Sequence, residues 1–159
     1  MRAVLQRVSE GSVTIGGEPR ARIGKGYVIL VGVRKGDTPE DARQLAAKCA
    51  ALRVMEDAHG KMNLDLADAG GSVLVVSQFT LYADARRGNR PGFADAALPQ
   101  EAERLYEEFV AALRAALGPE RVQTGVFGAM MEVLIRNDGP VTILLEVPFR
   151  SPTAGGQEQ

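Results

Sequence analysis

Three short segments hold residue types able to do chemistry. Ser77-Gln78-Phe79-Thr80 follows the wholly apolar stretch Val73-Leu74-Val75-Val76. A central strand that turns polar at its last residues commonly lines a cleft, where hydroxyl and amide groups can bond a substrate. The plain alternative is a pair of polar side chains satisfying groups at a sheet edge. Arg86-Arg87-Gly88-Asn89-Arg90-Pro91 puts three arginines within five positions. Guanidinium forks suit phosphate oxygens, so the segment reads as a phosphate- or acid-binding loop, or else as a solvated one. Asn137-Asp138-Gly139-Pro140-Val141-Thr142 contains Asp-Gly and Gly-Pro, both turn signals. On its own it reads as a hairpin turn between two strands. An X-Pro bond is cis in only about 5–6% of cases in folded proteins, so the isomer stays open.

The remaining inventory narrows the mechanism. The chain has one His and one Cys. One Cys cannot form an intrachain disulfide, and one Cys with one His cannot build a closed zinc site. A His-based triad has few routes here, and no cofactor or metal is expected. His59 lies beside Gly60 in the polar stretch 56–61 and reads as a solvated turn residue rather than a catalytic base. Cys49 falls on the apolar face of a helix and reads as a small core residue. Nineteen basic against twenty acidic residues leave a net charge of -1. That balance argues against coating nucleic acid by bulk electrostatics, and leaves room for a local basic patch on one RNA end.

The elements that must position these segments follow from pattern and punctuation. Val4–Val8 and Ser12–Ile15 read as two short strands joined by a Ser-Glu-Gly turn. Ile23–Val33 reads as a central strand, Ser72–Leu81 as another, and 132–136 and 141–147 as two more around the Gly-Pro segment. Thr38-Pro39-Glu40-Asp41 starts a helix, with Thr38 as cap, Pro39 in the first turn and two acids at the positive end of the dipole. Ala42, Leu45, Ala46, Cys49 and Leu52 then line one face. A second helix is expected over 99–117, stopped by Gly118-Pro119. Eighteen glycines are dispersed without period, which predicts tight turns between strands.

The sum is a single α+β domain over residues 1–150, with six to eight strands, a mainly antiparallel sheet and two main helices. Residues 151–159 are expected to form a disordered tail. No apolar run approaches the ~18–20 residues of a membrane span. The charged start shows no secretory signal, so a cytoplasmic location is expected and no membrane partner.

Several words in order resemble one family. SQFTLYAD at 77–84, RGNRP at 87–91, TGVFGAMM at 124–131 and NDGPVT at 137–142 are similar to D-aminoacyl-tRNA deacylase, as are the opening MRAVLQRVSEGSV and GKMNL at 60–64. The likeness runs from Met1 to about Glu146. Two departures stand out: Gly92 follows Arg-Pro where the family often has Ser, and the tail past Arg150 is longer than usual.

The resemblance implies a barrel-like core and a homodimer with active sites at the interface. It implies hydrolysis of the ester between a D-amino acid and the terminal ribose of tRNA, and of glycine mischarged on alanine tRNA. Ser77, Gln78, Phe79 and Thr80 would line the catalytic pocket. Gly139 and Pro140 of the partner would reach in through a cis bond to select chirality, and Arg7 would support them. Arg86, Arg87 and Arg90 would hold the 3′ end of aminoacyl-tRNA. A Thr80 nucleophile needs a base, and this chain offers only His59. Water attack helped by the 2′-hydroxyl of the terminal ribose is therefore favoured, with N–H groups near Phe79 and Thr80 holding the oxyanion. Competing readings are the related deacylase that removes L-alanine, a non-catalytic RNA-binding module and a plain structural dimer.

Overall fold

The computed structural model describes residues 1–148. The expected tail at 151–159 and the domain boundary at 150 lie outside the described residues. Eight strands and two helices are present among them: β1 Arg2–Ile15, β2 Glu18–Ile23, β3 Gly26–Gly32, α1 Pro39–Ala51, β4 Met55–Glu56, β5 Met62–Leu64, β6 Ser72–Ser77, α2 Pro99–Leu117, β7 Val122–Thr124 and β8 Glu132–Glu146. The main sheet runs β2-β1-β3-β6-β7, with β8 added on β1. The β1 pairings with β2, β3 and β8 are antiparallel. The pairings β3–β6 and β6–β7 are parallel, so the mainly antiparallel sheet carries a parallel wing.

Two strand expectations ahead of α1 need correction. The segments 4–8 and 12–15 form one continuous strand, and Ser9-Glu10-Gly11 makes no turn. Glu10 pairs with Arg136 on β8, while Gly11 pairs with Ile135 on β8 and with Ile23 on β2. Ladder partners on both sides outweigh a local turn preference. A Cβ on Gly11 would sit 2.6 Å from Val28 Cγ2, so the glycine marks a tight crossing. The second correction is the break inside 23–33. Ile23 ends β2, and β3 starts at Gly26, whose φ is +155°; a Cβ there would lie 1.8 Å from the Ser72 carbonyl oxygen. Only glycine brings β3 and β6 together at that point.

The burial of β1 changes face partway along, because its pairing with β8 is irregular between Gln6 and Glu10. Ala3 and Leu5 point to one core with Tyr27, Ile29, Val73, Val75, Leu45, Leu105 and Phe109, between the sheet and both helices. Val8 and Val13 point to a second core with Ile23, Val28, Leu74 and Val76. Val133 and Ile135 of β8 pack against it, so five strands feed that second cluster and the sheet curls round it into a nearly closed barrel with the helices outside. Continuous apolar runs in β3 and β6 follow from burial on both faces. Each fully buried Leu or Phe contributes about 1.5–3 kcal/mol.

The helices start as expected. Asp41 N–H donates to Thr38 Oγ1 at 3.2 Å while Thr38 N–H donates to Asp41 Oδ2 at 2.8 Å, a reciprocal capping box. At the other end of α2, Gly118 N–H donates to the Arg114 carbonyl at 2.9 Å with φ +93°. Cys49 is fully buried in the helix-side core. Burial pushes its thiol up to about 12, which agrees with the core reading.

Candidate functional site

The expected strand over 72–81 stops at Ser77. Gln78 N–H still donates to the Val31 carbonyl at 2.8 Å, and the chain then winds into a single 3-10 turn, Phe79–Tyr82. Its floor is Gly32, where a Cβ would stand 2.9 Å from the Gln78 carbonyl oxygen and 3.1 Å from Leu81 Cβ. Leu81 N–H donates to the Gln78 carbonyl at 3.2 Å, and no side chain caps the turn. The N–H groups of Phe79 and Thr80, the first two of the turn, therefore have no partner within it.

The side chains here are polar and open. Gln78 Nε2 donates to Thr80 Oγ1 at 2.5 Å. An amide N–H cannot take a proton, so this partner does not activate the hydroxyl. Phe79 is 57% exposed and meets Phe93 edge-on with ring centroids 5.0 Å apart. His59 sits in the exposed turn between β4 and β5, where its N–H donates to Asp57 Oδ1 at 2.8 Å. The backbone N–H groups of Lys61 and His59 hold the Asp57 carboxyl below its ordinary range.

The arginine segment forms a loop closed by Asp84 and Gly92, which exchange two backbone hydrogen bonds of 2.8 Å. Arg86 turns back on Asp84 through Nε and Nη2, both at 2.8 Å. That fork holds the Asp84 carboxyl well below the usual carboxylate range. Arg87 and Arg90 are exposed and have no ion-pair partner among the described residues. Two of the three arginines thus remain unneutralised.

The Gly-Pro segment is not a hairpin. β8 runs unbroken through it, pairing with β1 at Val8↔Asn137 on one side and Gln6↔Thr142 on the other. Residues 138–141 consequently stand opposite the single residue Arg7, as an extended bulge. The Gly139-Pro140 bond is cis, and both residues are exposed. Gly139 has φ +139°, and a Cβ on it would meet Val141 Cγ2 at 2.8 Å and Arg7 Nη2 at 3.2 Å. Val141 N–H donates to Asn137 Oδ1 at 3.1 Å, closing the bulge from within.

Arg7 braces this bulge from below and is only 5% exposed. Its Nε donates to the Asp138 carbonyl at 2.9 Å, Nη1 to the Val54 carbonyl at 2.9 Å and Nη2 to Glu56 Oε1 at 3.3 Å. Asp138 Oδ2 lies 3.6 Å from Nε. Sequence reasoning missed Val54, Glu56 and Phe93, because each reaches its partner only through the fold and carries no local signal.

The structure does not bring the two halves together in one chain. No hydrogen bond or ion pair among the described residues joins 77–80 to 139–140. Ser77 stands opposite Val31, Val31 opposite Ala3 and Ala3 opposite Leu145. Three strand spacings make about 14 Å over the sheet, and the four positions from Ala3 to Arg7, which faces the bulge, add about 13 Å along β1. Two surface concavities of about 370 and 500 Å³ are lined by Glu10, Ser12, Thr14 and Arg22, and by Gly16, Gly17 and Met130. Neither includes the polar turn or the bulge. Among the described residues no group of three His, Cys, Asp or Glu gathers as metal ligands. No described helix is long and apolar enough to cross a membrane.

Comparison with known proteins gives this geometry a family. The model of the family D-Tyr-tRNA(Tyr) deacylase matches residues 4–146, an interval that holds all three segments. The chain is 57% identical over 146 residues to D-aminoacyl-tRNA deacylase of Anaeromyxobacter dehalogenans, covering 92% of this chain and 97% of that one. It is 55% identical over 157 residues to D-aminoacyl-tRNA deacylase of Chloroflexus aurantiacus, covering 98% and 97%. A solved structure of the c-Myc DNA Unwinding Element Binding Protein superposes with a TM-score of 0.89 at 43% identity, covering 94% of this chain and all of that one. The relatives named for an activity are deacylases, which sets the class as hydrolase. Within it, the chain belongs to the D-Tyr-tRNA(Tyr) deacylase family.

Proposed function

We propose that this protein hydrolyses the ester of D-aminoacyl-tRNA, releasing tRNA and the free D-amino acid, and that it spares L-aminoacyl-tRNA. The observation that carries the reading is the family match over 4–146, at more than half identity to its deacylase relatives. The site geometry supports it.

The catalytic half is the uncapped turn. The N–H groups of Phe79 and Thr80, without a partner in the turn, suit a carbonyl oxygen that gains charge during attack, and one such donor is worth about 10²–10³ in rate. Among the described residues no base touches Thr80, so water is the nucleophile and the 2′-hydroxyl of the terminal ribose assists it. Ser77 and Gln78 line the same pocket. The selecting half is the Gly139-Pro140 bulge. D and L substrates differ only by exchange of H and side chain at Cα, and a backbone wall excludes the L side chain by repulsion. Arg7 keeps that wall in place. Glycine has no side chain to exclude, so glycyl-tRNA is admitted too.

The separation of the two halves within one chain supports a homodimer, in which the bulge of one protomer completes the turn of the other. Arg87 and Arg90 supply phosphate contacts to the 3′ end of tRNA, with Arg86 held by Asp84. This task places the protein in the cytoplasm.

Deacylation of matched D-Tyr-tRNA and L-Tyr-tRNA tests the reading. Rapid hydrolysis of the D form alone is expected, whereas equal rates or none refute it. L-Ala-tRNA in the same assay discriminates the L-alanine-directed relative. Salt-sensitive tRNA binding without hydrolysis would instead mark a non-catalytic RNA-binding dimer.

A further inference from the structure

We propose that Arg2 is a positioning residue for the Phe79–Tyr82 turn, so that β1 carries one arginine for rate and another for selectivity. This rests on the deacylase reading above. Arg2 Nη1 donates to the Leu81 carbonyl at 2.6 Å. Leu81 lies inside the turn, and its carbonyl is one of those a helix end leaves without an internal partner. The same guanidinium donates through Nη2 to both oxygens of Glu146, each at 3.1 Å. Its carbon also lies 4.7 Å over the centroid of the Tyr82 ring. One planar fork thus grips the turn by its backbone and by its last side chain, and is itself held by β8.

The register explains why this works. Arg2 stands opposite Gly32 on β3 and opposite Glu146 on β8. Gly32 is the floor on which the turn rests, so floor and clamp come from paired residues of neighbouring strands. The clamp fixes the turn along its axis, and the floor fixes its height. Together they set where the N–H groups of Phe79 and Thr80 point. Charge-assisted, forked hydrogen bonds are strong and directional, and a lysine cannot reproduce the fork or the stacking.

Arg2 and Glu146 are partly exposed, at 33% and 47%. Pairs of that kind add little to stability, so the consequence of losing the fork falls on geometry. A small misplacement of groups around the reacting atoms costs about 10²-fold in rate. Arg7, five residues along the same strand, braces the Gly139-Pro140 bulge instead, and the two arginines act on different kinetic parameters.

The test uses the full chain with D-Tyr-tRNA and L-Tyr-tRNA. Arg2→Gln is expected to lower kcat by about 10- to 10²-fold, with KM and the D-to-L ratio unchanged. Arg2→Lys falls between it and the parent protein, and Glu146→Gln lowers kcat by less. Arg43→Gln, which removes an exposed arginine paired with Glu40 and Glu108, leaves all three quantities unchanged. A general loss of structure would lower the melting temperature and move KM as well. Parental kcat in Arg2→Gln, or a shift in KM or in the D-to-L ratio as large as the fall in kcat, overturns the proposal. If Arg2→Gln does not fold, Glu146→Gln and Arg2→Lys decide by the same criteria. A parent protein inactive on D-Tyr-tRNA would defeat the deacylase reading itself, a different result from the one that defeats the clamp.

Discussion

Replacing Arg7 by Met tests the link between core and selectivity. Met keeps the apolar stem, removes the guanidinium and leaves three acceptors without their donor: the carbonyls of Asp138 and Val54 and the Glu56 carboxylate. A buried acceptor left unpaired costs about 1–3 kcal/mol. Breaking a fully buried ion pair costs about 3–5 kcal/mol, and this case falls short of that. Glu56 and Asp138 are 55% and 52% exposed, so their carboxylates regain water when Arg7 is gone. The two carbonyls dominate, and because both of their bonds are only part-buried the expected loss lies in the lower part of the summed range, about 2–4 kcal/mol. For a domain of this size each kcal/mol shifts the melting temperature by about 2–4 °C, so a fall of roughly 4–16 °C is expected by calorimetry. The second readout is kinetic. With its brace removed, the bulge no longer presents a rigid wall, and a loss of ~1.4–2.8 kcal/mol in discrimination lowers the D-to-L ratio about 10- to 100-fold. The reasoning fails if Arg7→Met melts within about 2 °C of the parent while the D-to-L ratio stays the same.

Three further predictions concern the Phe79–Tyr82 turn and the arginine loop. Thr80→Ala retains substantial deacylation, since Thr80 Oγ1 accepts from an amide and no base among the described residues touches it; a loss of about 10⁴ or more with intact tRNA binding would make Thr80 the nucleophile. In the same series, D-aminoacyl-tRNA ending in 2′-deoxyadenosine is hydrolysed slowly, and normal hydrolysis sinks the role of the 2′-hydroxyl. Asp84→Asn frees Arg86 from its fork. It is expected to tighten tRNA binding at low salt and to steepen the salt dependence by about 0.7 in the log–log slope, the value for one added phosphate contact on a single strand. An unchanged slope means that this loop does not touch the RNA.

Local chemistry explains which elements were legible. Helix 39–51 has a reciprocal cap, a proline in its first turn and apolar residues at helical spacing, all contained within fourteen consecutive residues. Helix 99–117 ends at a glycine whose positive φ is a backbone property of that residue alone. The readings that failed concern segments whose conformation depends on distant partners. Ser9-Glu10-Gly11 looks like a turn until strands on both sides offer it a ladder. Asn137-Asp138-Gly139-Pro140 looks like a hairpin until β1 pairs with the chain both before and after it. Short strands such as 62–64 and 122–124 carry too few residues to show a period.

The site divides in the same way. The sequence alone determined the chemical inventory: one histidine, a polar end to an apolar strand, a cluster of arginines and a Gly-Pro step, with an order of words that resembles one family. These are properties of residue type and spacing, and they survive in an unfolded chain. Only the tertiary structure decided which groups meet. It set Arg7 beneath the bulge and Arg2 against the turn, neutralised Arg86 with Asp84, and kept the Phe79–Tyr82 turn and the Gly139-Pro140 bulge apart over the sheet. Those facts depend on strand register, and register is a contest among long-range pairings settled by burial on both faces of a curled sheet.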